Sequence, residues 1–337
     1  GLCLLALNRV HAIQKDVRSA AGLVVVAIVA LAATHGVCAE NLIDENVRVQ
    51  MLKQSDGRVA HLETEYNDLF INKYGSSLGL SSRYKGRPDY VESLVDLRDP
   101  DALPVPYTVI MPVALVYPRE PTRILMIGLG AGSLSTYLGR AMPDARIDVV
   151  ELDPGVIAAG KKYFGLRETE KVRFIESDGR VYLNRHNDTY DLILLDAFRE
   201  LGVPFHLLTR EFYDLVKDHL APGGAVASNV DADTKLYLST LVTLNAVFPT
   251  VDVYRDSGEA DATQAIAVAL SAPRPATKNL MQRAIALQTE RRFRYPLPGL
   301  VDKRITKFYS SGADLLTDDF APAELFRVTP AAAPNRH

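Results

Sequence analysis

The amino-acid sequence predicts an α/β protein in which a doubly wound, parallel sheet is preceded by a small N-terminal antiparallel β-sheet. Three observations predict it. Apolar runs alternate with segments of helical spacing from Arg123 onward, as in a parallel sheet covered by helices. The first of these runs passes straight into a glycine-rich turn, RILMIGLGAGS over Arg123–Ser133. Ahead of it, residues 41 to about 100 alternate apolar and polar residues in short runs broken by Gly and Ser, the texture of β-hairpins.

Residues 1–39 read as a leader outside the fold. Arg9, Lys15 and Arg18 precede an uncharged apolar run from Ala20 to Ala33, and His35-Gly-Val-Cys-Ala39 comes before polar sequence resumes at Glu40. Basic region, short apolar core and small residues at a cleavage point are the order of a secretory signal, with Val37 and Ala39 at the −3 and −1 positions. The run is roughly fourteen residues, against about twenty for a membrane span. Cleavage after Ala39 is expected, giving an exported, periplasmic or extracytoplasmic location; the alternative is an uncleaved anchor over residues 20–33, with the rest of the chain facing inward toward the cytosol. Both cysteines, Cys3 and Cys38, lie in this segment, so disulfide and thiolate chemistry are excluded for the rest. Losing three basic residues and Asp16 with the leader takes the formal net charge from −3 to about −5. That balance, with no basic stripe, argues against nucleic acid as a partner.

The hairpin region, 41–105, is expected to form its own small domain, closed by the rigid join Asp99-Pro-Asp-Ala-Leu-Pro-Val-Pro. YTVIMPVALVYP then leads to the first strand of the larger domain, 106–328. Ile124–Ile127 has no polar break, which suits a strand buried on both faces. SLSTYLGRAM after the glycines has helical spacing. Ile147–Val150 gives a second strand ending in Glu151, VRFIESDGRVYL a third ending in Asp178-Gly179, and YDLILLDAF a fourth ending in Asp196. REFYDLVKDHL reads as a helix, APGGAVASNV as a turn and fifth strand, and Lys235–Val247 as a helix. VDVYRD and QAIAVALS are the last strands, the second apolar enough to be central. Ala276–Arg292 reads as a helix, and the tail 329–337 as disordered.

A strand, a glycine turn and a helix N-terminus together aim backbone N–H groups at a ligand. Gly128, Gly130 and Gly132 let the ligand approach the backbone. An acidic residue closing the second strand, here Glu151, commonly takes the two hydroxyls of a ribose. Acidic residues close three successive strands on one sheet edge, which sets this region apart from a fold whose glycines only turn corners. A dinucleotide-dependent dehydrogenase is disfavoured, because Ser133 occupies the last glycine position of GxGxxG and no catalytic His–Arg pair is evident.

From about Glu63 to Glu324 the chain resembles the spermidine synthase, or polyamine aminopropyltransferase, family, in its bacterial exported or membrane-fused branch. The carriers are ETEYND in the hairpin region, IGLGAGS, VVELDP, ESDGRVYL, LLDAF with downstream VPFHLLT, and TDDFAPAEL. The resemblance implies a small β-sheet ahead of a Rossmann-like domain of the class I methyltransferase type. It implies transfer of an aminopropyl group from decarboxylated S-adenosylmethionine to an amine such as putrescine, with no metal and with a homo-oligomer, dimer or tetramer, as the assembly. It also implies residue roles: Asp196 as the base beside the attacking amine, Glu151 on the ribose, Asp178 and Gly179 at the adenine, and Gly128, Gly130 and Gly132 along the sulfonium arm. Tyr66 and Asn67 match a Tyr-Gln pair that reaches into the pocket. Plain alternatives stand beside these: a helix N-cap for Asp196, an ordinary turn for Asp178-Gly179, and hairpin packing for Tyr66.

The chain departs from the family pattern on the amine side. The acidic residue between the later loop glycines is replaced by Ala131, which removes the charge that pairs with the donor's amine. Of the family's Tyr-His-Glu segment only Tyr107 is present, followed by Thr108 and Val109. Where a second Asp is usual after Asp196 the chain has Arg199, with Glu200 one step later to neutralise it. Two further readings therefore stand: an S-adenosylmethionine-dependent methyltransferase, or a non-catalytic adenosyl- or polyamine-binding protein of the envelope.

Overall fold

The computed structural model describes residues 41–83, 90–197, 203–232, 235–255, 264–291, 293–305 and 312–320. The leader, Arg199, Glu200 and the tail at 329–337 lie outside the described residues. From Leu42 onward the chain forms one compact unit.

The unit opens with a helix absent from the hairpin reading, α1 (Glu45–Lys53), whose N-cap Asp44 accepts from the Asn46 and Val47 N–H groups. Met51 is its single buried residue, so the apolar stripe that would announce it is thin. The expected antiparallel sheet follows as β1 (Gly57–Glu63), β2 (Asp68–Tyr74), β3 (Ser77–Arg83) and β4 (Tyr90–Asp96), paired in chain order. YTVIMPVALVYP, left without an element in the sequence, is helical. It forms α2 (Pro106–Ile110) and a 3-10 helix over Met111–Val116, the latter buried throughout. Pro106 sits in the first turn, where its missing N–H costs nothing.

The larger sheet begins with β5 (Arg123–Ile127), followed by α3 (Ser133–Ala141), β6 (Arg146–Glu151), α4 (Pro154–Tyr163), β7 (Val172–Glu176), α5 (Gly179–Arg185) and β8 (Tyr190–Leu195). α6 (Arg210–Asp218), β9 (Leu220–Asp231), α7 (Lys235–Val247), β10 (Thr250–Tyr254), β11 (Gln264–Leu270), α8 (Thr277–Arg291), α9 (Leu297–Val301) and β12 (Arg304–Ile305) complete it. The order across the sheet is β12-β10-β11-β9-β8-β5-β6-β7. β5 pairs parallel with both β6 and β8, as expected. β11 is internal, as its apolar sequence implies, yet it runs antiparallel to β9 and β10, and β12 runs antiparallel to β10. The sheet is therefore mostly, not wholly, parallel. Arg255–Thr263 is shorter than the dozen or more residues a parallel crossover needs, so β10 turns back as a hairpin.

The unbroken apolar run of β5 is explained by what covers it. Ile124 and Met126 join a core that also holds Leu69, Ile71, Leu78 and Leu80 of the small sheet. Leu125 and Ile127 point to the other face, with Phe212, Val216, Leu241 and Leu244. The small sheet is thus packed into the same core as the strand that carries the glycine loop.

Candidate active site

The end of β5 is pinned on both sides. Gly128 N–H donates to the Val150 carbonyl at 2.8 Å, and Asp196 N–H donates to the Ile127 carbonyl at 2.8 Å. Gly128 has φ +107°, and a Cβ there would run into the Asp196 carbonyl. This glycine lets the ends of β5 and β8 come together, and so sets where Asp196 stands. Gly132, at φ +77°, is the N-cap of α3 and turns the chain into that helix. Gly128, Gly130 and Ser133 line a cavity of about 940 Å3 including its open mouth. Glu151, Asp178, Gly179 and Asp196 line the same cavity, as do Tyr107 and Asn67. The carboxyl ends of β5, β6, β7 and β8 therefore converge on one space, where an open α/β sheet binds its ligand.

Glu151 closes β6 and braces the loop. Its Oε2 accepts from Leu129 N–H at 3.0 Å and its Oε1 from Asp153 N–H at 2.9 Å. Burial pushes its carboxyl up from the ordinary range, against the pull of those backbone bonds. Each oxygen keeps acceptor capacity for a ligand hydroxyl. Asp178 is more committed. Its Oδ1 caps α5, accepting from Arg180 and Val181 N–H at 2.9 Å each, and its Oδ2 faces His206 Nε2 at 2.8 Å. The contact with His206 holds its carboxyl below the usual range. The N-cap geometry anticipated as the plain alternative for Asp196 is found instead at Asp178.

Asp196 lies just beyond β8, and its carboxylate accepts from side chains and caps no helix among the described residues. Its Oδ2 accepts from the Tyr107 hydroxyl at 3.0 Å and its Oδ1 from Asn229 Nδ2 at 3.0 Å. Burial raises its carboxyl above the ordinary range, with the Asn229 and Tyr107 bonds pulling the other way. Asn229, 1% exposed on β9, belongs to this group although its place in AVASNV gave it no role. The one signal was a polar amide at the end of an apolar strand. An ionised Asp196 is acceptor-only, so the amide turns its Nδ2 toward it. Asn229 Oδ1 is then left buried with no hydrogen-bond partner among the described residues.

The small sheet supplies the other wall. Thr64 Oγ1 and Asn67 Nδ2 both donate to Asp153 Oδ2, at 2.7 and 2.9 Å. The β1–β2 turn is thereby tied to Asp153, the N-cap of α4. Asn67 lines the cavity as expected, with its amide held by Asp153. Tyr66 does not line it. Its side chain is 44% exposed, whereas the Asn67 amide is held inward by Asp153. Glu92 and Ser93 of β4 also line the cavity, and neither was expected there. Elsewhere, exposed His61 and Glu63 and half-buried Asp68 bring possible metal-ligand atoms within 4.8 Å of one another, away from the cavity lining. His61 is hydrogen-bonded to Asp68.

Residues 107–255 match the model of the spermine/spermidine synthase domain. A polyamine aminopropyltransferase of Vibrio vulnificus is 32% identical over 229 residues, covering 66% of this chain and 75% of the relative. A human eEF1A lysine and N-terminal methyltransferase is 32% identical over 152 residues, covering 41% of this chain and 22% of that protein. Among solved structures, a probable spermidine synthase from Corynebacterium glutamicum superposes with a TM-score of 0.60 at 20% identity, covering 82% of this chain and 99% of the other. That likeness supports the architecture, and the Vibrio match supports the lineage: this chain belongs to the spermine/spermidine synthase family.

Proposed function

We propose that this chain is a polyamine aminopropyltransferase, moving an aminopropyl group from decarboxylated S-adenosylmethionine to a primary amine such as putrescine. One observation carries the reading: the half-buried Asp196 carboxylate, fixed by Tyr107 and Asn229, shares a cavity with the glycine loop and Glu151. The amine lone pair attacks the carbon next to the sulfonium, the C–S bond breaks, and its electron pair stays on sulfur as methylthioadenosine. The proton released from the new ammonium goes to Asp196. A sulfonium is already a good leaving group, so the chain's task is alignment and keeping the amine unprotonated. A carboxyl raised by burial is the stronger base for that proton. Glu151 takes the ribose hydroxyls. Asp178 Oδ2 and the backbone around Gly179 receive the adenine, with one Oδ2 lone pair left after His206.

A second reading, methyl transfer from S-adenosylmethionine, draws on Ala131 and on the human methyltransferase relative. A product assay on the full chain decides between them. Each donor is supplied with putrescine, and products are identified by mass spectrometry. Methylthioadenosine from the decarboxylated donor is expected. S-adenosylhomocysteine from the ordinary one would move the chain to the methyltransferases, and neither product from folded protein would move it to a binding role.

The proposal extends to residues 1–39 as an export signal or anchor, on the order of basic, apolar and small residues. Detection of the chain in the cytosolic fraction with its leader intact would overturn that part. Assembly as a dimer or tetramer is likewise proposed from the family resemblance, and light scattering tests it.

A further inference from the structure

Consecutive residues of a strand face opposite sides of a sheet, yet Glu92 and Ser93 both line the cavity. The register of β3 on β4 accounts for it. Leu80 pairs with Ser93 and Ser81 with Val91, which leaves Glu92 as the extra residue of a β-bulge. Bulges re-aim side chains beside active sites. The Ser82 hydroxyl donates to Glu92 Oε1 and fixes one end of the carboxylate. Ser93 packs on the glycine loop, close enough that a Cβ at Gly130 would meet its Cβ at 3.0 Å and its Oγ at 3.1 Å. The bulge therefore stands beside the loop along which an adenosyl donor would lay its sulfonium arm. The loop itself brings no charge there, since Ala131 is fully buried and does not line the cavity.

We propose that Glu92 is the carboxylate that receives the terminal ammonium of the donor's three-carbon arm, and so selects a decarboxylated, cationic donor. The inference rests on the proposed adenosyl donor. An ammonium gains a charge-assisted hydrogen bond at Glu92. A donor that keeps its carboxylate on the same arm brings like charge against it, which discriminates by repulsion.

Calorimetric titration of wild type and Glu92→Gln tests this with two ligands, methylthioadenosine and decarboxylated S-adenosylmethionine. Glutamine keeps an oxygen for Ser82 and the length of the side chain. Methylthioadenosine lacks the charged arm and should bind both proteins equally, which also reports the fold. The decarboxylated donor should bind Glu92→Gln about tenfold or more weakly, the scale of one hydrogen bond to a charged group. Its preference over ordinary S-adenosylmethionine should shrink accordingly. Ser82→Ala, which removes only the hydroxyl that fixes Glu92, should move the decarboxylated donor the same way and leave methylthioadenosine unchanged. Equal losses for both ligands, or no loss for either, would overturn the assignment. So would intact donor binding with a raised KM for putrescine, which would place Glu92 on the acceptor. Failure of wild type to bind methylthioadenosine is a distinct result: it removes the adenosyl donor itself, and this inference with it.

Discussion

The Tyr107 hydroxyl reaches Asp196 Oδ2 at 3.0 Å across 89 residues of sequence, joining α2 to the loop after β8. Burial alone would leave Asp196 protonated over a wider range, and this bond opposes it by favouring the ionised form. Tyr107→Phe removes the bond and keeps the ring packing. A hydrogen bond to a charged group contributes about 1.5–3 kcal/mol, so kcat should fall about 10- to 100-fold. The Asp196 carboxyl should rise further, and the pH below which activity is lost should rise with it. A pH–rate profile with the same acid limb as wild type would remove Tyr107 from this role.

Asp196→Asn separates chemistry from binding. An amide at this position can still accept from Asn229 and place its own NH2 on the Tyr107 oxygen, so the hydrogen-bonded frame survives without a buried charge. Transfer should be abolished, methylthioadenosine affinity nearly unchanged, and the unfolding temperature no lower than in wild type. Product formation at a substantial rate by this variant would show that the base lies elsewhere.

What could be read in advance, and what could not, follows from the range of the interactions. Glu151, Asp178 and Asp196 were legible because each closes an apolar run, and a strand end is a local pattern. Tyr107 was visible as a residue, but its partner lies far along the chain. Asn229 carried only the faint mark of one amide in an apolar strand. Glu92 was hidden by its bulge, which shifts the two-residue alternation that would otherwise assign its face. Tyr66 was placed in the pocket by resemblance to the family's Tyr-Gln pair, and of the two only Asn67 lines the cavity, its amide held by Asp153. The reversed direction of β11 and β12 could not be read from apolar runs, because an internal antiparallel strand has the same composition as a parallel one.

Glu151 has two tasks, and substitution should expose both. Glu151→Ala leaves Leu129 and Asp153 N–H without their acceptor and removes the proposed ribose contact. Affinity for methylthioadenosine should fall about 10- to 100-fold, the cost of one or two lost hydrogen bonds. Glu151→Gln retains one acceptor oxygen and should fall between. Calorimetry on the three proteins gives the order directly, and unchanged affinity in Glu151→Ala would eliminate the ribose role.

The Asp318 carboxylate ties down the TDDF segment. Asp318 accepts from Arg180 through both oxygens, at 2.7 and 2.5 Å, and from the Thr209 hydroxyl at 2.7 Å. Arg180 also donates to the His206 carbonyl at 3.2 Å, and His206 contacts Asp178 at the cavity edge. The Arg180 contact lowers the Asp318 pKa to about 2, below the roughly 3.9 of an unfolded aspartate. A depressed folded pKa gives stability that is complete above about pH 4 and is lost as pH falls toward 2. Asp318→Asn should therefore lower stability at neutral pH and flatten its pH dependence between about pH 4 and 2 relative to wild type. Denaturant midpoints measured across that window check the sign. Parallel wild-type and variant curves would mean that Asp318 holds this segment by shape and not by charge.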